Sequence, residues 1–268
     1  MPIAKVGDIN LCYQVKGDGP PVILINGFAS AQNALFSLVH VFAKYYRVVT
    51  FDNRGIGGSD KPAGTYSISM MANDTIGLMD FLGIGKAHLI GMSLGGMVGQ
   101  QIAIDCPQRV CKLILCSTSA GGQPLQNMLF ALIEATNPGW NRSSSNLSSA
   151  DLGKLIIAMT SLIFNQTFSR LLFVSLNKIL IKTGQLKAPL GQLEAMMNHN
   201  VQDRLHLIQA PTLVLTGSKD RLMPPQSSEE LASQIKGAKL VTLDGGSHSF
   251  EGVSGSFNKA VLDFLGSN

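Results

Sequence analysis

Short runs of apolar, mostly β-branched residues recur along the chain, and glycine, proline or aspartate bounds most of them. Runs of this kind are typical of strands that are buried on both faces. They predict strands at residues 22–25, 48–52, 87–91, 110–117, 212–217 and 239–243. Apolar residues with helical spacing lie between most of these runs and after the last one. They predict helices at residues 34–45, 70–82, 94–105, 225–235 and 257–265.

The order of these elements indicates the fold class. Strands that alternate with helices predict an α/β fold, with a mainly parallel, twisted sheet and helices on both of its faces. Residues 10–15 instead alternate between apolar and polar positions, and residues 16–21 form a turn rich in glycine and proline. That pattern favours an antiparallel strand at the edge of the sheet.

One long interval, between residues 117 and 212, carries no convincing strand pattern. It contains apolar stretches with helical spacing at residues 125–135 and 152–180. We therefore expect a helical cap that is inserted into the fold and lies over one end of the sheet. The expected boundaries are 121–200 for the cap, and 1–120 together with 201–268 for the α/β core.

Large apolar side chains in this predicted cap are candidates for a substrate pocket. The substrate-binding candidates are Met128, Met159 and Phe164, and Phe130 and Met196 follow the same pattern. Methionine and aromatic residues at helical spacing are also typical of ordinary helix packing. Both interpretations stay open at this point.

Composition limits the class of protein. The chain has 268 residues, of which 45% are hydrophobic and 14% charged, so it can form one large core and is not disordered. Its formal net charge of +4 comes from scattered residues such as Lys5, Arg47 and Arg109, which disfavours nucleic acid as a partner. The cysteines lack the close paired spacing of zinc or dithiol sites, so we interpret them as small core residues rather than a metal site. They are Cys12, Cys106, Cys111 and Cys116.

Neither a secretion signal nor a membrane span is indicated by the sequence. Residues 1–10 are mixed and are interrupted by Pro2, Lys5 and Asp8, unlike a signal peptide. The longest apolar segment, residues 155–164, reaches only about half of the roughly 20 residues that a membrane-spanning helix needs. We expect a cytoplasmic protein without a membrane partner, either a monomer or a homodimer.

The strongest chemical signal is Gly91-Met92-Ser93-Leu94-Gly95, which follows a predicted strand and precedes a predicted helix. In this context G-x-S-x-G is typical of a nucleophile elbow, a sharp and strained turn at which bulky neighbours of the serine would clash. The helix N-terminus adds a partial positive charge and free N–H groups. Ser93 is therefore the candidate nucleophile.

A serine nucleophile needs a base, and histidine is the natural one at neutral pH. Of the five histidines, His248 lies in a glycine-rich loop directly after the last predicted strand. The others lie in predicted elements or near the end of the predicted cap. They are His40, His88, His199 and His206. His248 is therefore the candidate general base.

The acid that orients this histidine is expected at the carboxyl end of a strand, between the serine and the histidine in chain order. Asp220 follows the predicted strand 212–217 and fits that position. Its carboxylate would accept the histidine N–H and fix the tautomer. Asp244 and Asp203 are the alternatives.

Backbone N–H groups are needed to stabilise a tetrahedral intermediate. One is expected from Leu94, the residue after the nucleophile, and one from Phe28, in the loop after the strand at residues 22–25. Gly27 lets the backbone of this loop approach a substrate closely. Asn26 and Gly27 are therefore further substrate-binding candidates.

Together these pieces resemble the α/β-hydrolase family, especially its small cofactor-free esterases, enol-lactonases and carbon–carbon bond hydrolases with a helical lid. The resemblance covers nearly all of the chain outside residues 121–200. Residues 52–59 look like the D-x-R-G-x-G-x-S turn that follows the family's fourth strand. The family commonly has His-Gly where this chain has Asn26-Gly27. Haloalkane dehalogenases on this scaffold use aspartate as nucleophile, whereas position 93 is serine.

The resemblance implies a serine hydrolase that cleaves carboxylic esters or lactones through an acyl-enzyme on Ser93, without a cofactor. We expect an uncharged, moderately hydrophobic small molecule as substrate; an acyl-homoserine lactone and a short-chain ester are both compatible. Fold and triad do not choose between reactions, because carbon–carbon bond hydrolases or lyases and cofactor-free perhydrolases share them. Some proteins of the family sense small molecules, so a receptor is a further alternative.

Overall fold

An eight-stranded sheet forms the centre of the protein in the computed structural model, which describes residues 1–138, 140, 148–163 and 187–267. Its spatial order is β1-β2-β4-β3-β5-β6-β7-β8. The strands are β1 (Ile3–Val6), β2 (Ile9–Lys16), β3 (Pro21–Ile25), β4 (Arg47–Phe51), β5 (Ala87–Met92), β6 (Val110–Cys116), β7 (Thr212–Gly217) and β8 (Lys239–Leu243). β2 pairs antiparallel with β1 and β4, whereas the other neighbouring strands pair in parallel.

This sheet confirms the predicted α/β fold with its mainly parallel sheet. The six predicted strands correspond to β3 through β8, and the predicted edge strand lies within β2. The prediction that the strand at residues 239–243 is buried is wrong, because β8 is at the edge of the sheet and most of its residues are exposed. β1 has no counterpart among the predicted strands. Its four residues are too few to show a clear alternation of apolar and polar positions.

Helices connect the strands. They are α1 (Phe36–Phe42), α2 (Ile68–Phe81), α3 (Leu94–Asp105), α4 (Gly122–Thr136), α5 (Ser149–Ile163), α6 (Lys187–Met197), α7 (Pro225–Gln234) and α8 (Ser254–Gly266). Short 3₁₀ helices lie at Gln32–Leu35, Pro107–Arg109 and Gln202–Leu207. In the described part of the chain, no helix combines the length and the apolar character that crossing a bilayer requires.

The sheet has a hydrophobic layer on each face. Ile23 and Ile25 of β3 pack into a layer with residues of α2 and α3, such as Met97. Val22 and Leu24 point the other way and pack into a second layer with residues of α1 and α8. Helices thus cover both faces, as predicted, because alternate side chains of a strand face opposite sides of the sheet.

The two ends of the predicted cap meet in space. Gly121 and Asn200 form an isolated antiparallel bridge, and the Gly122 N–H donates to the His199 carbonyl oxygen at 2.8 Å. α4, α5 and α6 lie between these ends. The predicted apolar stretch 152–180 is described only as far as residue 163. The division into core and cap stays a prediction.

His199, at this junction, is 4% exposed, and its ring Nε2 has no hydrogen-bond partner among the described residues. Burial, with a smaller contribution from the positive charge of Arg204, lowers the pKa of His199 to about 4. The ring is therefore neutral in the folded protein at neutral pH. In the unfolded chain its pKa returns to about 6.5, so the unfolded state binds more protons between these two values.

We expect the free energy of unfolding to fall as the pH is lowered from 7 towards 4, with His199 responsible for up to about 3 kcal/mol of the loss. Urea unfolding at several pH values measures this. His199→Gln should flatten the pH dependence, whereas His206→Gln, at an exposed position, should leave it as in the wild type. An unchanged slope in His199→Gln would show that other groups cause the loss.

Candidate active site

Ser93 lies on the sharp turn between β5 and α3. Its backbone angles, φ 52° and ψ −116°, belong to a region that residues with a side chain rarely adopt. A Cβ added at Gly91 would overlap the Gly95 carbonyl oxygen, and one added at Gly95 would overlap the Ile25 carbonyl oxygen. Glycine is therefore required on both sides of the serine.

The strained turn is held by hydrogen bonds to the neighbouring strand end. The Ser93 N–H donates to the Cys116 carbonyl oxygen at 2.8 Å. The Thr118 hydroxyl donates to the Ser93 carbonyl oxygen at 2.7 Å. These contacts hold the serine at the N-terminus of α3, where the backbone N–H groups carry a partial positive charge.

His248 and Asp220 form a buried hydrogen-bonded pair. His248 Nδ1 lies 2.9 Å from Asp220 Oδ2 and 3.1 Å from Asp220 Oδ1. The Leu222 and Met223 N–H groups donate to Asp220 Oδ1 at 3.0 and 2.8 Å. Hydrogen bonds of this kind stabilise a carboxylate, which can then accept a hydrogen bond from the His248 Nδ1–H. His248 Nε2 is left with its lone pair free to accept a proton.

The loops after β7 and β8 bring this pair together. A Cβ at Gly217 would overlap the Gly246 carbonyl oxygen, so glycine at position 217 allows the two loops to touch. The Lys219 N–H donates to the same Gly246 oxygen at 2.8 Å. Ser93, Asp220 and His248 follow the parallel strands β5, β7 and β8, whose carboxyl ends lie at the same edge of the sheet.

The His248 ring forms its hydrogen bonds with Asp220, and no hydrogen bond between Ser93 Oγ and His248 occurs among the described residues. Ser93 and His248 are 8% and 7% exposed, so both residues are largely buried. Hydrogen bonds between a nucleophile and its base are often long without a substrate and shorten when one binds. The arrangement therefore suits a base that takes a proton from Ser93 during reaction.

The alternative acids lie elsewhere. Asp244 is exposed and accepts a hydrogen bond from the Ser218 hydroxyl at 3.1 Å. Asp203 is exposed on the 3₁₀ helix that precedes β7. Neither carboxylate contacts His248 in the described part of the chain, whereas Asp220 does.

Residues 26–32, which follow β3 and begin with Asn26, Gly27 and Phe28, pass beside the nucleophile, and we call them the oxyanion loop. A Cβ at Gly27 would lie 3.4 Å from Ser93 Cβ and 4.0 Å from Ser93 Oγ. Asn26 is 2% exposed, and its Nδ2 has no hydrogen-bond partner among the described residues. Leu94 is the first residue of α3, where backbone N–H groups lack partners within the helix.

Two anchors of this loop were not identified from the sequence. Asp52 Oδ1 accepts the Gln32 N–H at 2.6 Å, and its Oδ2 accepts the Gly58 N–H at 2.8 Å. Gln192 of α6 accepts the Ala29 N–H at 3.0 Å. Asp52 could have been identified, because it is the first residue of the D-x-R-G turn that resembles the family's turn after the fourth strand. For Gln192 the sequence carries no signal.

The candidate pocket residues are less closely tied to Ser93. Met128 lines a cavity of about 240 Å³ between α4 and α7, together with Leu222 and Met223 from the loop that holds Asp220. Met159 is 3% exposed and packs in the larger hydrophobic layer. Phe164 lies outside the described residues. No group of three possible metal ligands occurs among the residues that the structure describes.

The sheet order, the strained serine after β5 and the buried Asp–His pair define an α/β hydrolase as the class of protein. The family model for the alpha/beta hydrolase fold matches residues 20–251. The chain belongs to this family, and it is an enzyme of the hydrolase class.

Three similar proteins illustrate the range of the family. A protein of Azorhizobium caulinodans, provisionally named carbamate hydrolase RutD, is 26% identical over 99% of this chain and 98% of its own. A poly(3-hydroxyalkanoate) depolymerase of Ectopseudomonas oleovorans is 30% identical over 84% of this chain and 77% of its own. The crystal structure of the enol-lactonase from Burkholderia xenovorans LB400 superposes with a TM-score of 0.83 at 27% identity, covering 99% of this chain and 100% of the enol-lactonase.

Proposed function

We propose that this protein is a serine hydrolase that cleaves carboxylic esters or lactones through an acyl-enzyme on Ser93. The observation that carries the proposal is the buried hydrogen bond between His248 Nδ1 and Asp220 Oδ2, at 2.9 Å. It lies at the same sheet edge as a serine in a strained backbone conformation. A histidine held in this way is oriented for proton transfer, which a serine nucleophile requires.

In the proposed reaction, Ser93 Oγ attacks the substrate carbonyl carbon while His248 Nε2 takes the hydroxyl proton. The N–H groups of Phe28 and Leu94 stabilise the oxyanion of the tetrahedral intermediate. When the intermediate collapses, His248 gives the proton to the departing alcohol oxygen. Water then attacks the acyl-enzyme with the same histidine as base, and the acid and free Ser93 are released. Asp220 stays ionised throughout and stabilises the imidazolium.

We propose a small, uncharged and moderately hydrophobic substrate. A lactone is supported by the likeness to the enol-lactonase, and a linear ester by the likeness to the polyester depolymerase. In this proposal residues 121–200 form a cap over the site, and Met128, Met159, Phe164, Asn26 and Gly27 bind the substrate. The cytoplasmic location and the monomeric or dimeric state stay predictions.

Carbamate cleavage is a second candidate reaction. It is favoured by the similarity to the carbamate hydrolase of Azorhizobium caulinodans, which extends over 99% of this chain. A carbamate offers a carbonyl carbon to Ser93 in the same way as an ester. The other reactions that such a triad supports need different reactants: a diketone for carbon–carbon cleavage, and a carboxylic acid with peroxide for perhydrolysis.

A substrate panel separates these reactions. We expect the wild type to hydrolyse p-nitrophenyl esters, from acetate to decanoate, or an acyl-homoserine lactone. With the p-nitrophenyl esters, a burst of p-nitrophenol equal to the enzyme concentration is expected where deacylation is slow. A p-nitrophenyl carbamate, a diketone and an acetate–peroxide mixture complete the panel. A folded wild type that leaves every ester and lactone intact but cleaves the carbamate would replace the ester proposal with the second candidate.

A further inference from the structure

Among the described residues, the side chain of Gln192 connects helix α6 to the oxyanion loop, and this side chain is completely buried. Gln192 Oε1 accepts a hydrogen bond from the Ala29 backbone N–H at 3.0 Å. Gln192 Nε2 donates to the Arg54 carbonyl oxygen at 2.9 Å. One amide therefore connects a helix of the predicted cap to two loops of the core, over 163 and 138 residues of sequence.

The backbone of Ala29 is in an unfavourable conformation, which the hydrogen bond from its N–H to Gln192 helps to hold. Its φ of 53° is in the left-handed region, which is unfavourable for a residue that has a Cβ. Gln192 supplies the acceptor for the Ala29 N–H, in a contact that is partly buried. Ala29 directly follows Phe28, so the orientation of the peptide between them limits where the Phe28 N–H points.

The other partner of Gln192 is the carbonyl oxygen of Arg54, a residue whose side chain is also bound to the core. The Arg54 guanidinium forms two hydrogen bonds with the Asp74 carboxylate, at 2.6 and 2.7 Å, and lies over the Tyr66 ring. Arg54 is 3% exposed. A Cβ at Gly191 would lie 2.8 Å from a Tyr66 ring carbon, so α6 packs directly against this ring. Gln192 is therefore fixed both by its own helix and by the loop that it contacts.

We infer that Gln192 is a positioning residue for the oxyanion hole, where it holds the Phe28 N–H in the orientation that stabilises the oxyanion. This inference rests on the proposed function, in which Phe28 donates to the oxyanion. Its consequence is that a complete oxyanion hole requires α6 to lie against the core. A substrate bound while α6 is displaced would meet Ser93 without one of its two donors.

Gln192→Met tests the inference, because methionine has a similar shape and cannot form the two hydrogen bonds. A trifluoromethyl ketone adds to a serine nucleophile, and the product carries an oxyanion, so its inhibition constant reports on the oxyanion hole. The KM of the matching ester reports on substrate binding. We expect the inhibition constant to rise and kcat to fall by about 10- to 100-fold, less than for the loss of a whole donor. KM should change by less than about threefold.

Gln126→Met is the matched control. Gln126 Nε2 donates to the Met197 carbonyl oxygen at 2.8 Å, at the C-terminal end of the same helix. This variant also removes an amide contact to α6 but leaves the oxyanion loop intact. Its inhibition constant and kcat should stay within about threefold of the wild type. Equal losses in both variants, or a Gln192→Met that raises KM alone, would assign Gln192 a packing role and overturn the inference.

Two further results complete the experiment. If Gln192→Met does not fold, Gln192→Asn replaces it. Its amide is one methylene too short to reach both partners, and the same rise in the inhibition constant is expected. If the ketone inhibits the wild type and the variants at position 192 equally well, the inference is refuted, whereas the proposed function is not. If the turnover of the wild type does not depend on Ser93, or if no turnover is found, the proposed function and the inference are refuted together.

Discussion

Ser93→Ala is expected to lower kcat for the best ester or lactone by about 10⁴- to 10⁶-fold, with little change in the fold. The substitution removes the oxygen that forms the acyl-enzyme, while the oxyanion donors remain and leave a small residual rate. A fluorophosphonate, which loses fluoride as it forms a phosphonate ester with an activated serine, gives a second measurement. The wild type should be labelled at Ser93, and Ser93→Ala should not be labelled.

Ser117→Ala is the matched control for this substitution. Ser117 directly follows β6, the strand next to β5, and its φ of 46° is also in the left-handed region. Its hydroxyl is buried and has no hydrogen-bond partner among the described residues. Ser117→Ala should keep fluorophosphonate labelling and a kcat within about threefold of the wild type. A kcat of Ser93→Ala within about tenfold of the wild type, far above the expected residual rate, would exclude Ser93 as the nucleophile.

The fold could be predicted from the sequence because its central strands are buried on both faces. Such strands form continuous apolar runs, as in β5 and β7, and these runs are easy to locate. The candidate site could also be predicted, since its residues follow strands at known positions in the chain. Ser93 is marked by a local motif, and the loops after β7 and β8 carry Asp220 and His248 to the same sheet edge.

Contacts between distant segments could not be predicted. The helix expected at residues 34–45 is limited to Phe36–Phe42, and a 3₁₀ helix precedes it. Asp52 holds the Gln32 N–H at the start of that 3₁₀ helix, through a bond that local helix propensity does not contain. The contacts of Gln192 were even harder to predict from the sequence. A single buried amide leaves no periodic pattern, and its partners are loop carbonyl and N–H groups that every residue carries.

These distant contacts affect how precisely the groups of the candidate site are positioned, and they do not decide which residues form it. Local motifs specify which groups can react, whereas catalysis requires the groups to be held close to their working geometry. The strained residues Ser93 and Ala29 are each held by hydrogen bonds from another part of the chain. Sequence patterns therefore identify the candidate nucleophile and base, and in the proposed mechanism tertiary contacts determine how well the oxyanion is stabilised.

Asp220→Asn is expected to lower kcat by about 10⁴-fold with only a small change in KM. The asparagine Oδ1 can keep accepting the Leu222 and Met223 N–H groups, which donate to Asp220 Oδ1 in the wild type. Its Nδ2 then faces His248 Nδ1 and donates to it. The histidine proton is shifted to Nε2, which can no longer take the proton of Ser93.

Asp244→Asn provides the comparison, because Asp244 is also an aspartate in a loop at this sheet edge. Asp244 is exposed, and its hydrogen bond goes to the Ser218 hydroxyl rather than to His248. Its kcat should stay within about twofold of the wild type, since only a surface hydrogen bond changes. A large loss in Asp244→Asn with little loss in Asp220→Asn would move the orienting acid to Asp244. Large losses in both would mean that the geometry of the two loops, rather than the charge of Asp220 alone, controls the histidine.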